Sequence, residues 1–215
     1  MNILAVVVAG GVRSAGSPNA LTLLAGVPMV VRSVRTLLAS GVVDRVLLRG
    51  GECTGDLLRA CAGLPVDAWQ PPVRRVGAGR VGAHAGQRAD TTRSDDAIAG
   101  SFVLVHDAAR PLTPPALFGA VLDAVRAGHR AVVPVLPLAD TVKVVDGAGL
   151  LRATPDRAGF RVVQTPQAFR APEIHFRPLD AAAAGADTVV GDPLAFAVHT
   201  PWDLQLAELL LEEES

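Results

Sequence analysis

The stretch Phe102 to Leu112, FVLVHDAARPL, constrains this chain more than any other: four apolar residues break abruptly into a histidine, an acid, two alanines and an arginine. An apolar run without polar alternation suits a strand buried on both faces, as strands of parallel sheets are. Charge that begins at its C-terminal end places His106, Asp107 and Arg110 on the edge where open α/β sheets hold ligands. There Asp107 can hold a divalent cation and Arg110 can clamp a phosphate. The same residues also suit a surface Asp–Arg pair after a core strand, so the neighbouring segments must decide.

Ile3 to Val8, ILAVVV, is a second continuous apolar run, and it enters the glycine-bearing stretch Ala9 to Pro18. Gly10 and Gly11 let backbone N–H groups approach a phosphate, and Arg13 can add charge to it. The spacing matches neither GxGxxG nor a Walker loop, so a plain tight turn stands beside the phosphate cradle. Val30, Val34, Leu37 and Leu38 recur at helical spacing with Gly41 as the stop, and Val42 to Leu48 reads as the next strand. This opening is a βαβ unit.

From Pro65 to Ser101 the periodicity dissolves. Arg74, Arg75, Arg80, Arg88 and Arg93 sit among glycines and alanines, which suits either a loop or a phosphate-facing arm. After the central strand, Thr113 and Pro114 read as N-cap and N1 of a helix carrying Leu117, Val121 and Val125 and closed by Gly128. Ala131 to Val135 reads as a strand. Asp140-Thr141-Val142-Lys143 and Thr154-Pro155-Asp156-Arg157 flank a turn at Asp146-Gly147, which predicts a projecting hairpin arm over about 138–165. The alanines 181–184 are expected in a short helix and Leu194 to Val198 in a strand. Thr200-Pro201-Trp202-Asp203 is expected to cap a C-terminal helix through Leu211.

Strand and helix signals alternate along 215 residues, half of them hydrophobic, which predicts one three-layer α/β domain over 1–215 with a mainly parallel sheet. A net charge of −1 provides no global field for nucleic acid or membrane. Cys53 and Cys61 form no CxxC and no metal spacing, so they read as ordinary thiols of a reducing compartment. The apolar run Ile3 to Ala9 is far short of the roughly 20 residues of a membrane span and follows no basic segment, so a cytoplasmic location is expected.

Taken together, VHDAARPL, Asp140-Thr141-x-Lys143, Thr154-x-Asp156-Arg157 and Gln164-Thr165-Pro166-Gln167-x-Phe169, in this order, resemble the 2-C-methyl-D-erythritol 4-phosphate cytidylyltransferases. The resemblance implies a Rossmann-like nucleotidyltransferase fold, a homodimer formed through the β-arm, and transfer from CTP to a methylerythritol phosphate with release of pyrophosphate, for isoprenoid precursor synthesis. It also implies that Ala9, Gly10, Gly11 and Arg13 bind the nucleotide and that Asp107 holds Mg²⁺. Arg110, Thr141, Arg157 and Thr165 would bind the polyol phosphate, with Arg13 and Arg157 acting in catalysis.

The departures bear on activity. The family's loop ends in Pro-Lys, and here it is shortened and ends in Pro18-Asn19; the family's Lys-Ile-Thr is Ala197-Val198-His199-Thr200. Its Gly-Gly-x-x-Arg segment is represented at best by Gly86-Gln87-Arg88, and its Thr-Asp-Asp/Glu-Ala segment is reduced to Ala186-Asp187-Thr188. Each preorganised electrostatic stabiliser is worth about 10²- to 10³-fold in rate, so two missing lysines are expected to cost on the order of 10⁴-fold. Reduced or lost activity is expected, and three readings follow: a working cytidylyltransferase of this family with altered substrate or rearranged cations, a non-catalytic homologue acting as a binding or regulatory partner, or a nucleotidyltransferase for another polyol phosphate.

Overall fold

The computed structural model describes residues 2–10, 16–69, 102–170 and 185–213. Strand β1 (Ile3–Val8) lies at the centre, parallel to β4 (Arg45–Arg49) on one side and to β6 (Phe102–Asp107) on the other. A short hairpin, β2 (Leu23–Leu24) with β3 (Val27–Pro28), leads into helix α1 (Met29–Ala39). Helix α2 (Thr54–Ala60) and strand β5 (Val66–Ala68) extend that half, with β5 parallel to β4. In the other half, β7 (Ala131–Pro137) follows helix α3 (Pro115–Arg126). Between β6 and β7 runs β11 (Gln167–Arg170), antiparallel to both. The short β10 (Arg161–Val163) pairs antiparallel with β7, and β12 (Asp187–Val190) pairs parallel with it.

The period of two along β1 explains the layering. Ile3, Ala5 and Val7 join one core with Val34 and Leu37 of α1, Leu57 of α2 and Phe118, Val121 and Leu122 of α3. Leu4 and Val6 face the other way, with Leu47, Trp69, Val103, Val105 and Phe169. Both faces of β1 and β6 are therefore dry, which is why their sequences run apolar without alternation. The helical expectation for Val30, Val34 and Leu37 holds, and Gly41, at φ +66°, ends α1 in the left-handed conformation that suits glycine. No helix among the described residues is long and apolar enough to cross a membrane.

Several sequence expectations need correction. Leu194 to Val198 is no strand: Pro193–Ala195 is a single 3₁₀ turn, and Ala195 and Val198 are buried from irregular backbone. The edge strand is Asp187–Val190, whose half-polar sequence carries little apolar signal. The strand expected from Val42 begins at Arg45, and α3 starts at Pro115 with Pro114 as its N-cap, because the Thr113 hydroxyl turns back to the Arg110 carbonyl at 3.0 Å instead of capping. The hairpin of the arm is present as β8 (Val144–Val145) and β9 (Leu151–Ala153). The alanines 181–184, Gly11, Arg13 and the arginines at 74, 75, 80, 88 and 93 lie outside the described residues. At the C-terminus α4 (Pro201–Glu213) is capped as expected: the Thr200 hydroxyl accepts from Asp203 N–H at 3.1 Å while the Asp203 carboxylate accepts from Thr200 N–H at 2.7 Å.

Candidate functional site

The chain leaves β1 toward β4 on one side of the sheet, and β6 returns on the other, so the ends of β1 and β6 form the crevice at which open α/β sheets place ligands. Val8 and Asp107 are register partners there. Ala9 and Gly10 continue directly from β1, and Gly10 is exposed. The glycine loop and the acid of the central strand, about a hundred residues apart in sequence, thus begin at the same edge.

The turn after β6 is held from several directions. The Ala108 N–H donates to the Val8 carbonyl at 2.9 Å, and the Ser33 hydroxyl of α1 donates to the Ala108 carbonyl at 3.3 Å. The Val198 N–H donates to the Ala109 carbonyl at 2.7 Å. Asp107 donates its own N–H to Thr165 Oγ1 at 3.0 Å, and its Oδ1 accepts from the Ala109 N–H at 2.9 Å. Its second carboxylate oxygen, Oδ2, has no protein partner among the described residues. The half-buried acid is therefore fixed in place with one oxygen to spare.

Beneath it, His106 is fully buried, with Nδ1 3.0 Å from Thr165 Oγ1 and its ring edge-on to Phe118 at 5.0 Å. Burial first, and the Arg110 charge second, push the imidazole down to about 3, so it is neutral at physiological pH. Arg110 sends Nη1 to the Ala195 carbonyl at 2.5 Å and Nη2 to the Val163 carbonyl at 3.2 Å, joining the end of β6 to the end of β10 and to the 3₁₀ turn. Burial draws its guanidinium below the ordinary range, opposed by the charge of Asp107. Each terminal nitrogen of a guanidinium carries two N–H bonds, so each keeps one N–H beyond these contacts, while the buried Nε has no partner among the described residues.

Thr165 is buried, and its hydroxyl is already shared between the Asp107 N–H and His106. Thr141 and Arg157 are exposed on the arm, where Arg157 donates to the Ala139 carbonyl at 2.6 Å and Asp156 caps the Ala158 N–H at 2.9 Å. Pro137, Ala139, Asp156, Arg157 and Arg161 line an open cleft there. No hydrogen bond or ion pair among the described residues joins Thr141 or Arg157 to Asp107 or Arg110. The structure thus brings together Ala9, Gly10, Asp107, Arg110 and Thr165, while Thr141 and Arg157 of the arm make no bond to Asp107 or Arg110.

The positions of the absent lysines have their own local roles. Asn19 Oδ1 accepts from the Leu21 N–H at 2.8 Å, while its backbone N–H and C=O close the same turn with Thr22. That is an Asx turn, which a lysine cannot make. Ala197 is half-buried on the irregular segment after the 3₁₀ turn.

Sequence reasoning missed the clasp that holds this segment. Gln164, 2% exposed, donates Nε2 to the Asp192 carbonyl at 2.7 Å and accepts the Asp192 N–H on Oε1 at 2.9 Å. A Cβ at Gly191 would overlap Gln164 Oε1, so any larger residue there would displace the Gln164 amide from its clasp. Asp192 in turn caps the 3₁₀ turn through the Leu194 N–H at 2.8 Å. The Asp-Pro pair at 192–193 is a turn-start signal; the Gln164 contact, far away in sequence, has none.

Comparison with known proteins gives a consistent picture. Residues 3–213 match the model of the family described as IspD, 2-C-methyl-D-erythritol 4-phosphate cytidylyltransferase. A protein of that name from Nocardia farcinica is 43% identical over 213 residues, covering 93% of this chain and 88% of the relative. One from Rhodococcus opacus is 41% identical over 211 residues, covering 91% of this chain and 88% of its own. The crystal structure of 2-C-methyl-D-erythritol 4-phosphate cytidylyltransferase from Thermus thermophilus is 26% identical with a TM-score of 0.61, covering 99% of this chain and all of that one.

Proposed function

The chain belongs to the 2-C-methyl-D-erythritol 4-phosphate cytidylyltransferase family, and from that premise we propose that it transfers the cytidylyl group of CTP to a methylerythritol phosphate, at a rate lowered by two missing ammonium groups. The observation that carries this reading is the pairing of Val8 with Asp107 at the sheet's crevice, with Asp107 Oδ2 left free of protein partners among the described residues. A phosphate oxygen of the acceptor attacks the α-phosphorus of CTP, the bond to the bridging oxygen breaks, and pyrophosphate leaves with that oxygen. The protein forms no covalent intermediate. Its task is to position both substrates and to meet negative charge as it develops.

Among the described residues no three His, Cys, Asp or Glu side chains cluster as a metal cage. A single anchored carboxylate suits Mg²⁺, which keeps most of its waters and binds through one or two carboxylates and the substrate phosphates. Asp107 would hold it, and the ion would supply charge neutralisation at the phosphates. Gly10 and Gly11 would admit the phosphates to backbone N–H groups, with Arg13 contributing charge. Arg110 would orient the acceptor phosphate with its remaining N–H donors, and Thr165 would act through Asp107. Thr141 and Arg157 would reach a site from the arm of a second copy, since they make no bond to Asp107 or Arg110 of their own chain. Val144, Val145, Leu150 and Leu151, each about half exposed or more, support a homodimer through that arm.

One observation favours a second reading. The Asx turn of Asn19 is a settled local structure, as expected of a homologue that has stopped catalysing and serves as a binding or regulatory partner. Pyrophosphate release from CTP and methylerythritol 4-phosphate, with Mg²⁺ and with excess chelator, separates the two. Slow, chelator-sensitive release supports the first; calorimetric CTP binding without any release supports the second. Arg13→Ala should remove most of the stabilisation by CTP, and no shift of the melting temperature at millimolar CTP would refute the first reading.

A further inference from the structure

A recess of about 300 Å³ lies between α1, the chain from Pro111 to Pro115 and the C-terminal helix α4. Its walls combine two chemistries. Leu112, Leu194 and Leu211, all half-buried, make it apolar, while Arg32 and Arg35 of α1 make it positive, and among the described residues no acidic one lines it. Neither Asp107 nor Arg110 is part of it.

The two arginines differ in how they are held. Arg32 donates Nε to the Leu24 carbonyl at 2.9 Å and Nη2 to the Ala25 carbonyl at 3.4 Å, so its guanidinium is anchored on the β2–β3 turn. Arg35, one turn along the helix, is exposed. No ion pair joins either to a carboxylate among the described residues. Arg32 and Arg35 place two like charges on one wall, and burial first, with the charge of Arg35 second, draws the Arg32 guanidinium below its ordinary range. An anion placed between them would relieve that repulsion and gain charge-assisted hydrogen bonds. A short hydrocarbon body would in turn cover the leucines, and the volume stands at the small end of ligand pockets.

We propose that this recess is a binding site, separate from the Asp107 crevice, for a small organic anion: a phosphate or carboxylate head on an aliphatic body of about five to eight carbons. The inference stands apart from the proposed transferase activity and is read by binding alone.

Hexyl phosphate is the probe, titrated calorimetrically into the full chain, with hexan-1-ol and inorganic phosphate as controls. Saturable binding of hexyl phosphate is expected, with each control at least about tenfold weaker because head and body are both required. Arg35→Glu, on an exposed helix position that leaves the fold intact by circular dichroism, should weaken the probe at least about tenfold. Leu211→Asn should weaken it several-fold, and Asp107→Asn should not change it. Equal binding of hexyl phosphate to wild type and Arg35→Glu, hexan-1-ol binding as tightly as the phosphate, loss of binding in Asp107→Asn, or no saturable binding at millimolar probe would each overturn the proposal.

Discussion

The turn after β6 and the arm between β7 and β10 are both rich in polar residues, yet they are built in opposite ways. Asp107, Ala108 and Ala109 are tied to β1, α1, Thr165 and the segment at Val198, so that their geometry is settled before any ligand arrives. In the arm, by contrast, hydrogen bonds are local, such as Ala148 and Leu150 N–H to Asp146 Oδ1, while valines and leucines face outward. Preorganisation is what a site needs when it must meet charge without reorganising. Outward apolar surface is what a segment shows when its own chain does not complete it. The difference teaches that the proposed chemistry and the proposed association fall on separate sheets, the first at the end of β6 in the eight-stranded sheet and the second on the two-stranded β8–β9 hairpin.

Breaking the preorganised half should have the largest effect. Asp107→Asn keeps an oxygen for the Ala109 N–H but removes the charge, and any pyrophosphate release should fall by about 10²-fold or more with little change in melting temperature. An equal loss in rate and stability would mean that Asp107 is only a structural turn residue. Gln164→Leu should be nearly as damaging, to stability and not to rate: it strands the N–H and C=O of Asp192, at about 2–3 kcal/mol in denaturant unfolding. A loss below about 0.5 kcal/mol would remove the clasp from the account.

The pH dependence sharpens the contrast from within the core. His106 is held near 3 in the folded protein against 6.5 for an unperturbed imidazole, so the unfolded chain takes up a proton that the folded chain refuses. Its contribution to stability is therefore present above about pH 6.5 and is lost as pH falls toward 3, by up to about 1.4 kcal/mol per pH unit. Unfolding free energies of wild type and His106→Asn measured between pH 7 and 4 should converge as pH falls. Parallel curves would show that His106 is not buried as a neutral ring.

The smallest effect on folding is expected in the arm. Val145→Asp with Leu151→Asp should change the chain's own stability by no more than about 0.5 kcal/mol, since both residues are exposed. The same pair should shift sedimentation at micromolar concentration from dimer to monomer. A wild-type monomer under those conditions would end the dimer proposal, and a large loss of stability would show that the arm packs on its own chain.

How much of this could be read from residues alone follows the same division. β1, α1 and β6 announce themselves because dry faces impose uninterrupted apolar runs and a 3.6-residue repeat, and the C-terminal capping box at Thr200 and Asp203 is purely local. Asp107 stands out because a charge follows four apolar residues and a single histidine. Leu194 to Val198 misleads for a physical reason: Ala195 and Val198 are buried from irregular backbone, so their apolarity reports the core and not a ladder. β12 hides because an edge strand need not be apolar on either face. The sharing of Thr165 Oγ1 between Asp107 and His106, and the clasp of Gln164 on Asp192, are contacts between distant segments that no local pattern encodes.

The proposed transferase sets an anchored acid at Asp107 against two family lysines that are Asn19 and Ala197 in this chain. The most direct measurement is the rate of pyrophosphate release from CTP and methylerythritol 4-phosphate by wild type beside Asn19→Lys with Ala197→Lys. Slow release by wild type is expected, raised at least about tenfold by the double substitution, a modest gain because losing the Asn19 turn costs about 1 kcal/mol and a misplaced ammonium group is poorly effective. Wild-type turnover near the enzyme median of about 10 s⁻¹, unimproved by the lysines, would contradict the claim.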